Sequence, residues 1–435
     1  MAVADDFTRC EPVRSAVDRV RIECRGREFS DIVDAAGHQY VDLVMQGGGV
    51  LGIALVGYTY VLEQAEIRFL GVGGTSAGAI IALLIAALGK PADAKGARVV
   101  DVLASMPMST FIDGDAESRE LTHALIEKAG MMKLLYKASR VMRNLRQNLG
   151  LNPGTEFLRW LDSELAKTGI RTLREMQANL ADVPQSLQLR EVARDRPLTD
   201  ADRRGRLAMV AADITTETKV EFPQMAELYW ADPQSVELAR FARASISIPF
   251  FFEPFRVDGC PQDRAAAWDR HAHYAGAAPH SVLFVDGGVM SNFPIDLFHR
   301  PLMVPRSPTF GVKIRRERSS PLDIRGPAEL AGAIFNAARH ALDDDFIVRN
   351  PDYRHLVKSI DTSPHNWLDF DMSRDDKRDL FARGAHAAAE FLCEFDWERY
   401  KKVRKELVEA HQGAVAESAS PAVSTGDRDA AAEGL

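Results

Sequence analysis

The chain has 435 residues, 46% of them hydrophobic, 27% charged and 8% aromatic, enough apolar material for a large core and the wrong composition for a disordered protein. Acidic residues outnumber basic ones, 62 against 54, and the resulting formal charge of −8 argues against a general nucleic-acid binder.

Residues 1–37 are charged and weakly patterned, an N-terminal extension. His38 to Met45 is a short, nearly continuous apolar run that stops at three glycines, the pattern of a buried parallel strand. Ile53 to Gln64 is helical in pattern, Ile67 to Val72 is another short strand, and Ala79 to Leu88 is an apolar helix ending at Gly89 with Pro91 beyond. This alternation predicts an α/β protein with a mainly parallel sheet.

Residues from about 105 to 180 have a helical pattern broken at Gly150 and at Asn152 to Gly154, the expected cap or insertion. Ala181 to Arg206 is polar and predicts an exposed connection. Arg206 to Ala212 and Lys219 to Phe222 predict paired strands, Ser281 to Val285 a buried strand ending in Asp-Gly-Gly, and Phe310 to Ile314 another. Beyond Ala328 the pattern is mostly helical to about Val408, and 411–435 has the composition of a disordered tail.

Gly74 to Gly78 spells G-x-S-x-G between a predicted strand and a predicted helix, the context of a nucleophile elbow with Ser76 as nucleophile. Small residues are needed two positions either side of such a serine because the strand and helix backbones converge there. The pentapeptide alone fits equally a glycine-rich turn whose serine caps a helix. Gly47 to Gly52 occupies the equivalent place after the first strand, with backbone N–H groups at a helix N-terminus, an anion site. Its Gly47, Gly49 and Gly52 satisfy G-x-G-x-x-G, with Glu66 as a candidate ribose-binding acid of a dinucleotide-dependent oxidoreductase. Alternatively Gly47, Gly48, Gly49 and Gly52 build an oxyanion hole for Ser76, and a second glycine-bracketed serine at the next strand end favours this hydrolase reading.

Asp286, at the head of Asp286-Gly287-Gly288, is a candidate base, although an Asp-Gly pair also closes hairpins. A triad would need a histidine after the acid in chain order. His299, His340 and His386 fall in or beside predicted helices, so a Ser76–Asp286 dyad is more economical.

These motifs, in this order, resemble the patatin-like phospholipases, Ser-Asp lipid acyl hydrolases. Gly150 to Leu165, Asp213 to Phe222, Ala242 to Phe255 (ARASISIPFFFEPF) and Trp367 to Leu392 resemble further blocks of that family, so the likeness spans about residues 38–395. It implies a three-layer α/β/α catalytic domain over 38–410, Ser76 as the acylated nucleophile, Asp286 as its base, elbow glycines Gly74 and Gly78, a phospholipid or lysophospholipid substrate, and no cofactor or metal. Leu51 departs from the family pattern, which commonly has Arg or Lys there. An esterase or thioesterase acting on small soluble acyl substrates would use the same dyad.

Met131 to Gln147 carries Lys133, Lys137, Arg140, Arg143 and Arg146 and no acidic residue. At helical spacing its apolar residues share one face, so it fits an anionic membrane surface as well as a covering helix packed on the sheet. Cys10, Cys24, Cys260 and Cys393 form no C-x-x-C pair, which points to a reducing compartment rather than to zinc or disulfides. Asp343 to Asp345 lies in a helical pattern and fits a solvated face better than a calcium loop. The N-terminus leads into no secretory-signal pattern, and the longest uncharged apolar run, Ala77 to Leu88, is too short to span a bilayer. The expectation is a cytoplasmic protein that at most sits on a membrane.

Overall fold

The computed structural model describes residues 3–120, 148–190, 197–200, 202–315, 345–363 and 365–419, with isolated positions between 321 and 337. The basic segment with Lys133, Lys137, Arg140, Arg143 and Arg146 lies outside the described residues, as do His340, Asp343 and Asp344.

Helices α1 (Val3–Thr8) and α2 (Glu11–Glu23) precede a short strand, β1 (Ile32–Val33). Then come β2 (Gln39–Met45), α3 (Ile53–Gln64), β3 (Ile67–Thr75), α4 (Ala77–Ala87) and α5 (Gly96–Ala104). All seven residues of β2 are buried, which requires cover on both faces and explains its continuous apolar run. Its one carboxylate, Asp42, is matched by the Arg206 guanidinium at 2.7 Å. In α4 only Ile80 of eleven residues escapes burial, so an all-round apolar sequence gives a buried helix rather than an amphipathic one.

After β4 (Gly150–Asn152) come α6 (Thr155–Thr168), α7 (Leu173–Ala181), β5 (Gln188–Leu189), β6 (Arg206–Asp213), β7 (Thr218–Phe222), α8 (Leu238–Ser245), β8 (Phe250–Phe252), β9 (Phe255–Asp258), α9 (Ala265–Ala272) and β10 (Ser281–Asp286). The chain closes with β11 (Thr309–Arg315), β12 (Val357–Asp361), α10 (Arg374–Glu394) and α11 (Trp397–Ala419). The main sheet runs β12-β11-β2-β3-β6-β10-β9. It is parallel from β12 to β6 and antiparallel over the last two pairs. The protein is therefore α/β with a mainly parallel central sheet.

Four segments depart from expectation. β12 interrupts the stretch expected to be helical beyond Ala328, and pairs with β11 in parallel from Gly311↔Val357 to Arg315↔Asp361. The polar connection 181–206 contributes β5, whose Leu189 joins Leu187, Ile32, Tyr40 and Leu70 in a second small core. In the weakly patterned N-terminal extension α2 buries Val13, Ala16, Val17 and Val20, and α2 packs against α10. α11 continues to Ala419, past the expected start of the tail at 411.

α3 and α10 cross with their backbones in close contact. A Cβ on Gly57 would collide with the Phe381 carbonyl, and one on Gly384 with the Ala54 carbonyl, so both backbones approach as only glycine allows. Gly384→Ala is therefore expected to lower unfolding free energy by about 1–3 kcal/mol in urea titrations. At a helix position free of neighbours the same change would raise it by up to about 1 kcal/mol, so the sign tests the packing.

Candidate active site

β2 and β3 end side by side, Met45 opposite Gly74, and each delivers a glycine-rich turn to the same edge of the sheet. The four glycines of the first turn do different things. A Cβ on Gly47 would lie 2.5 Å from Asn292 Oδ1 and 3.1 Å from Ser76 Cβ, so no side chain fits there. The Gly47 N–H donates to the Asn292 carbonyl at 3.0 Å and its own carbonyl accepts from Asn292 Nδ2 at 3.2 Å. Gly52 packs on Ala77, where a Cβ would lie 2.8 Å from the Ala77 methyl. Gly49 takes φ 56° against the Trp367 carbonyl, which accepts the Val50 N–H at 3.1 Å. Among the described residues the N–H groups of Gly48 and Gly49 have no hydrogen-bond partner, and both residues are partly exposed. Leu51 is turned into the core, so a cation at its place would have to be buried.

The second turn is a sharp elbow. Ser76 has φ 54° and ψ −120°, a conformation that an L-residue holds only when its surroundings enforce it. Gly78 packs directly on the Met45 carbonyl, and a Cβ on Gly74 would lie 2.7 Å from Gly78 C, so β3, β2 and α4 converge as the G-x-S-x-G pattern requires. The Ser76 N–H donates to Ser245 Oγ at 2.9 Å, and the Ser245 hydroxyl in turn donates to the Val210 carbonyl at 2.6 Å. Ser76 is 4% exposed and Ser245 fully buried.

Asp286 ends β10. Thr75 lies opposite Val210 across β3 and β6, and Asp286 lies opposite Ala211 across β6 and β10. β7 pairs with Met209 to Asp213 on the other edge of β6, so β3 and β10 share one edge of that strand and meet end to end, Thr75 and Asp286 opposite consecutive residues, and the elbow and the carboxylate are neighbours along it. Asp286 Oδ1 accepts the Gly288 N–H at 2.7 Å, and the Asp286 N–H donates to the Ser247 carbonyl at 2.8 Å. The chain then enters a 3-10 turn, Gly287–Val289, rather than a hairpin. That loop is stitched to β3, since the Thr75 hydroxyl donates to the Ser291 carbonyl at 2.8 Å and Gly287 packs on Val210 and Thr75.

Sequence reasoning assigned no role to the end of α8, which grips both residues through Ser245 and Ser247. Behind it Arg243, 3% exposed, donates to Ser247 Oγ at 2.5 Å and to the carbonyls of Pro153 and Glu253 at 2.7 and 2.8 Å. Burial pulls its guanidinium down to about 10, still charged at neutral pH. A buried arginine spaced four residues from a serine within ARASIS was the readable sign of this clasp.

The other candidates lie elsewhere. Glu66 precedes β3 at the opposite end of the sheet from Gly47 and pairs with His38 and Arg68, so the halves of a dinucleotide site are not brought together. His386 is exposed on α10. His299 packs against Phe346, its Nδ1 sharing a 2.7 Å hydrogen bond with the Tyr353 hydroxyl. Asp345 pairs with Arg349 on an exposed helix face. Among the described residues no group of three His, Cys, Asp or Glu side chains could hold a metal ion, and no helix is long and apolar enough to cross a membrane.

An α/β sheet carrying a serine elbow, an aspartate beside it and a glycine turn whose amides are unpaired among the described residues defines a class, and comparison with known families agrees with it. The sequence profile of the patatin-like phospholipase family matches residues 43–299, more than half of the chain, and the chain belongs to that family. A relative, the uncharacterized protein YqhO of Bacillus subtilis (strain 168), is 29% identical over 367 residues, covering 82% of this chain and 100% of its own length. Among solved structures, VipD from Legionella pneumophila aligns with a TM-score of 0.40 at 14% identity, over 84% of this chain and 70% of its own. ExoU, from the heterodimeric ExoU–SpcU complex of the type III secretion system of Pseudomonas aeruginosa, aligns with a TM-score of 0.35 at 16% identity, over 87% of this chain and 59% of its own.

This geometry has two measurable outcomes. Ser245→Ala leaves the Ser76 N–H and the Val210 carbonyl unpaired and frees the elbow, so kcat on an ester substrate is expected to fall about tenfold or more with KM little changed. Burial, with a smaller push from Arg404, lowers the His299 pKa from 6.5 to about 4, so the unfolded chain binds this proton first as pH falls. The stability it contributes is complete above about 6.5 and is lost progressively down to about 4. His299→Gln should flatten that part of a urea-midpoint against pH profile.

Proposed function

We propose that the protein is a lipid acyl hydrolase that cleaves acyl esters of phospholipids or lysophospholipids through a Ser76–Asp286 dyad. The observation that carries this reading is the register that brings the strained Ser76 elbow and Asp286 together along one edge of β6, next to a turn in which two amides are unpaired among the described residues. Family membership supplies the substrate class.

In this reading Asp286 accepts the Ser76 hydroxyl proton as Oγ attacks the ester carbonyl. The Gly48 and Gly49 N–H groups receive the oxyanion, while Gly47 and Gly52, whose space is filled by Asn292, Ser76 and Ala77, hold the turn in place. Collapse of the tetrahedral adduct breaks the C–O bond, and Asp286 returns its proton to the leaving alkoxide. Asp286 then deprotonates a water that attacks the acyl-Ser76 ester, and its proton passes back to Ser76 as the fatty acid leaves. The Gly288 N–H bond to Asp286 Oδ1 orients the carboxylate, with Oδ2 as the basic oxygen.

Fatty-acid release from phospholipid and lysophospholipid tests the assignment. Ser76→Ala should abolish it in a protein that still unfolds cooperatively. Asp286→Asn should lower turnover by about 10²- to 10⁴-fold, while His299→Gln and His386→Gln should keep most of it. A folded Ser76→Ala enzyme with near-normal turnover, or a histidine variant as inactive as Asp286→Asn, would contradict the dyad.

A further inference from the structure

Two bulky apolar residues hold backbone conformations that bulky residues avoid, and both are in water. Leu149 has φ 62° and Phe250 φ 66°, and the two residues are 47% and 73% exposed. A left-handed φ is unfavourable for an L-residue, and an exposed aromatic adds no burial to offset it, so the pair is costly on both counts. β4 and β8 pair in parallel with Gly150 opposite Phe250, which sets the two residues side by side at one end of a two-stranded sheet.

That sheet is tied to the active site. Phe250 follows by three residues Ser247, whose carbonyl holds the Asp286 N–H. The next ring, Phe251, stacks on Phe370 at 4.9 Å, and three residues before Phe370 the exposed Trp367 gives its carbonyl to Val50 of the glycine turn. Strained apolar side chains are therefore displayed by the segments that grip the site. The sequence leading into Leu149 is strongly basic, with five cations and no acidic residue between Met131 and Gln147 in a chain whose net charge is −8.

We propose that Leu149 and Phe250 form an apolar prong that enters the interfacial region of an anionic phospholipid bilayer and seats the Ser76 site on the lipid surface. The choice of partner rests on the acyl-hydrolase reading above. A prong of two projecting side chains needs no complementary groove in its partner, and it suits a fluid bilayer in which leucine and aromatic rings settle at headgroup depth. Cations in the adjoining sequence are complementary to an anionic surface and act within a Debye length of it.

Replacing both residues by glycine gives a test in which fold and function move apart. Glycine is the residue these φ values favour, so the Leu149→Gly, Phe250→Gly variant should be at least as heat-stable as the wild type and should turn over a monomeric short-chain ester at the same rate. Its cosedimentation with vesicles of phosphatidylcholine and phosphatidylglycerol should weaken roughly tenfold or more. The pair Leu149→Asn, Phe250→Asn, which also tolerates this φ, should behave likewise, and Phe250→Trp should bind vesicles at least as well as wild type. A folded double-glycine variant that binds vesicles as wild type does would overturn the prong, and so would loss of a dimer in light scattering with vesicle binding intact. Wild type that binds these vesicles through the prong but releases no fatty acid would leave the prong standing and overturn the hydrolase reading instead.

Discussion

Ser76 at φ 54° and ψ −120° is a conformation the chain would leave if nothing held it, and the hydrogen bond from its N–H to Ser245 Oγ is one of the holds. Ser245 can serve only because its own proton goes to the Val210 carbonyl, on the strand along whose edge β3 and β10 meet. The same stretch of chain sends the Ser247 carbonyl to the Asp286 N–H. One helix end thus fixes Ser76 and Asp286 relative to each other, and the buried Arg243 fixes the helix end. Strain of this kind persists where the surroundings over-determine it, which is what two flanking glycines, a glycine clasp at Gly47 and Asn292 and the Thr75–Ser291 bond provide together.

The glycine turn shows how uniform letters cover unlike duties. Gly47 and Gly52 are there because Asn292, Ser76 and Ala77 fill the space a side chain would need, and Gly49 because its φ is positive. Among the described residues, Gly48 and Gly49 also carry the N–H groups left without partners. Leu51, buried beside them, adds apolar cover where a basic residue would have brought charge.

Local signals made much of this readable. β2, α3 and β3 fall within a residue or a few of their expected limits because continuous apolar runs ended by glycines leave little choice of element. Ser76 and Asp286 were placed at strand ends by short motifs whose backbone demands are local. What stayed hidden was set by distant partners. β12 has the partly exposed pattern of a sheet edge, without the strict alternation that marks a strand, and becomes a strand because β11 offers an open edge. β5 acquires structure from β1, more than 150 residues earlier, and Leu187 and Leu189 from a small core that no local period announces. The roles of Ser245 and Ser247 depend on tertiary contacts with β3 and β10, and α2 finds its partner in α10 near the other end of the chain.

The central claim is that Ser76 carries the acyl group. Wild-type protein incubated with a fluorophosphonate, or quenched in acid during turnover of an activated ester, can be weighed intact and then mapped by peptide. The account predicts one adduct, on the peptide containing Ser76, and none on the Ser76→Ala protein. Turnover accompanied by an adduct on another residue would contradict it.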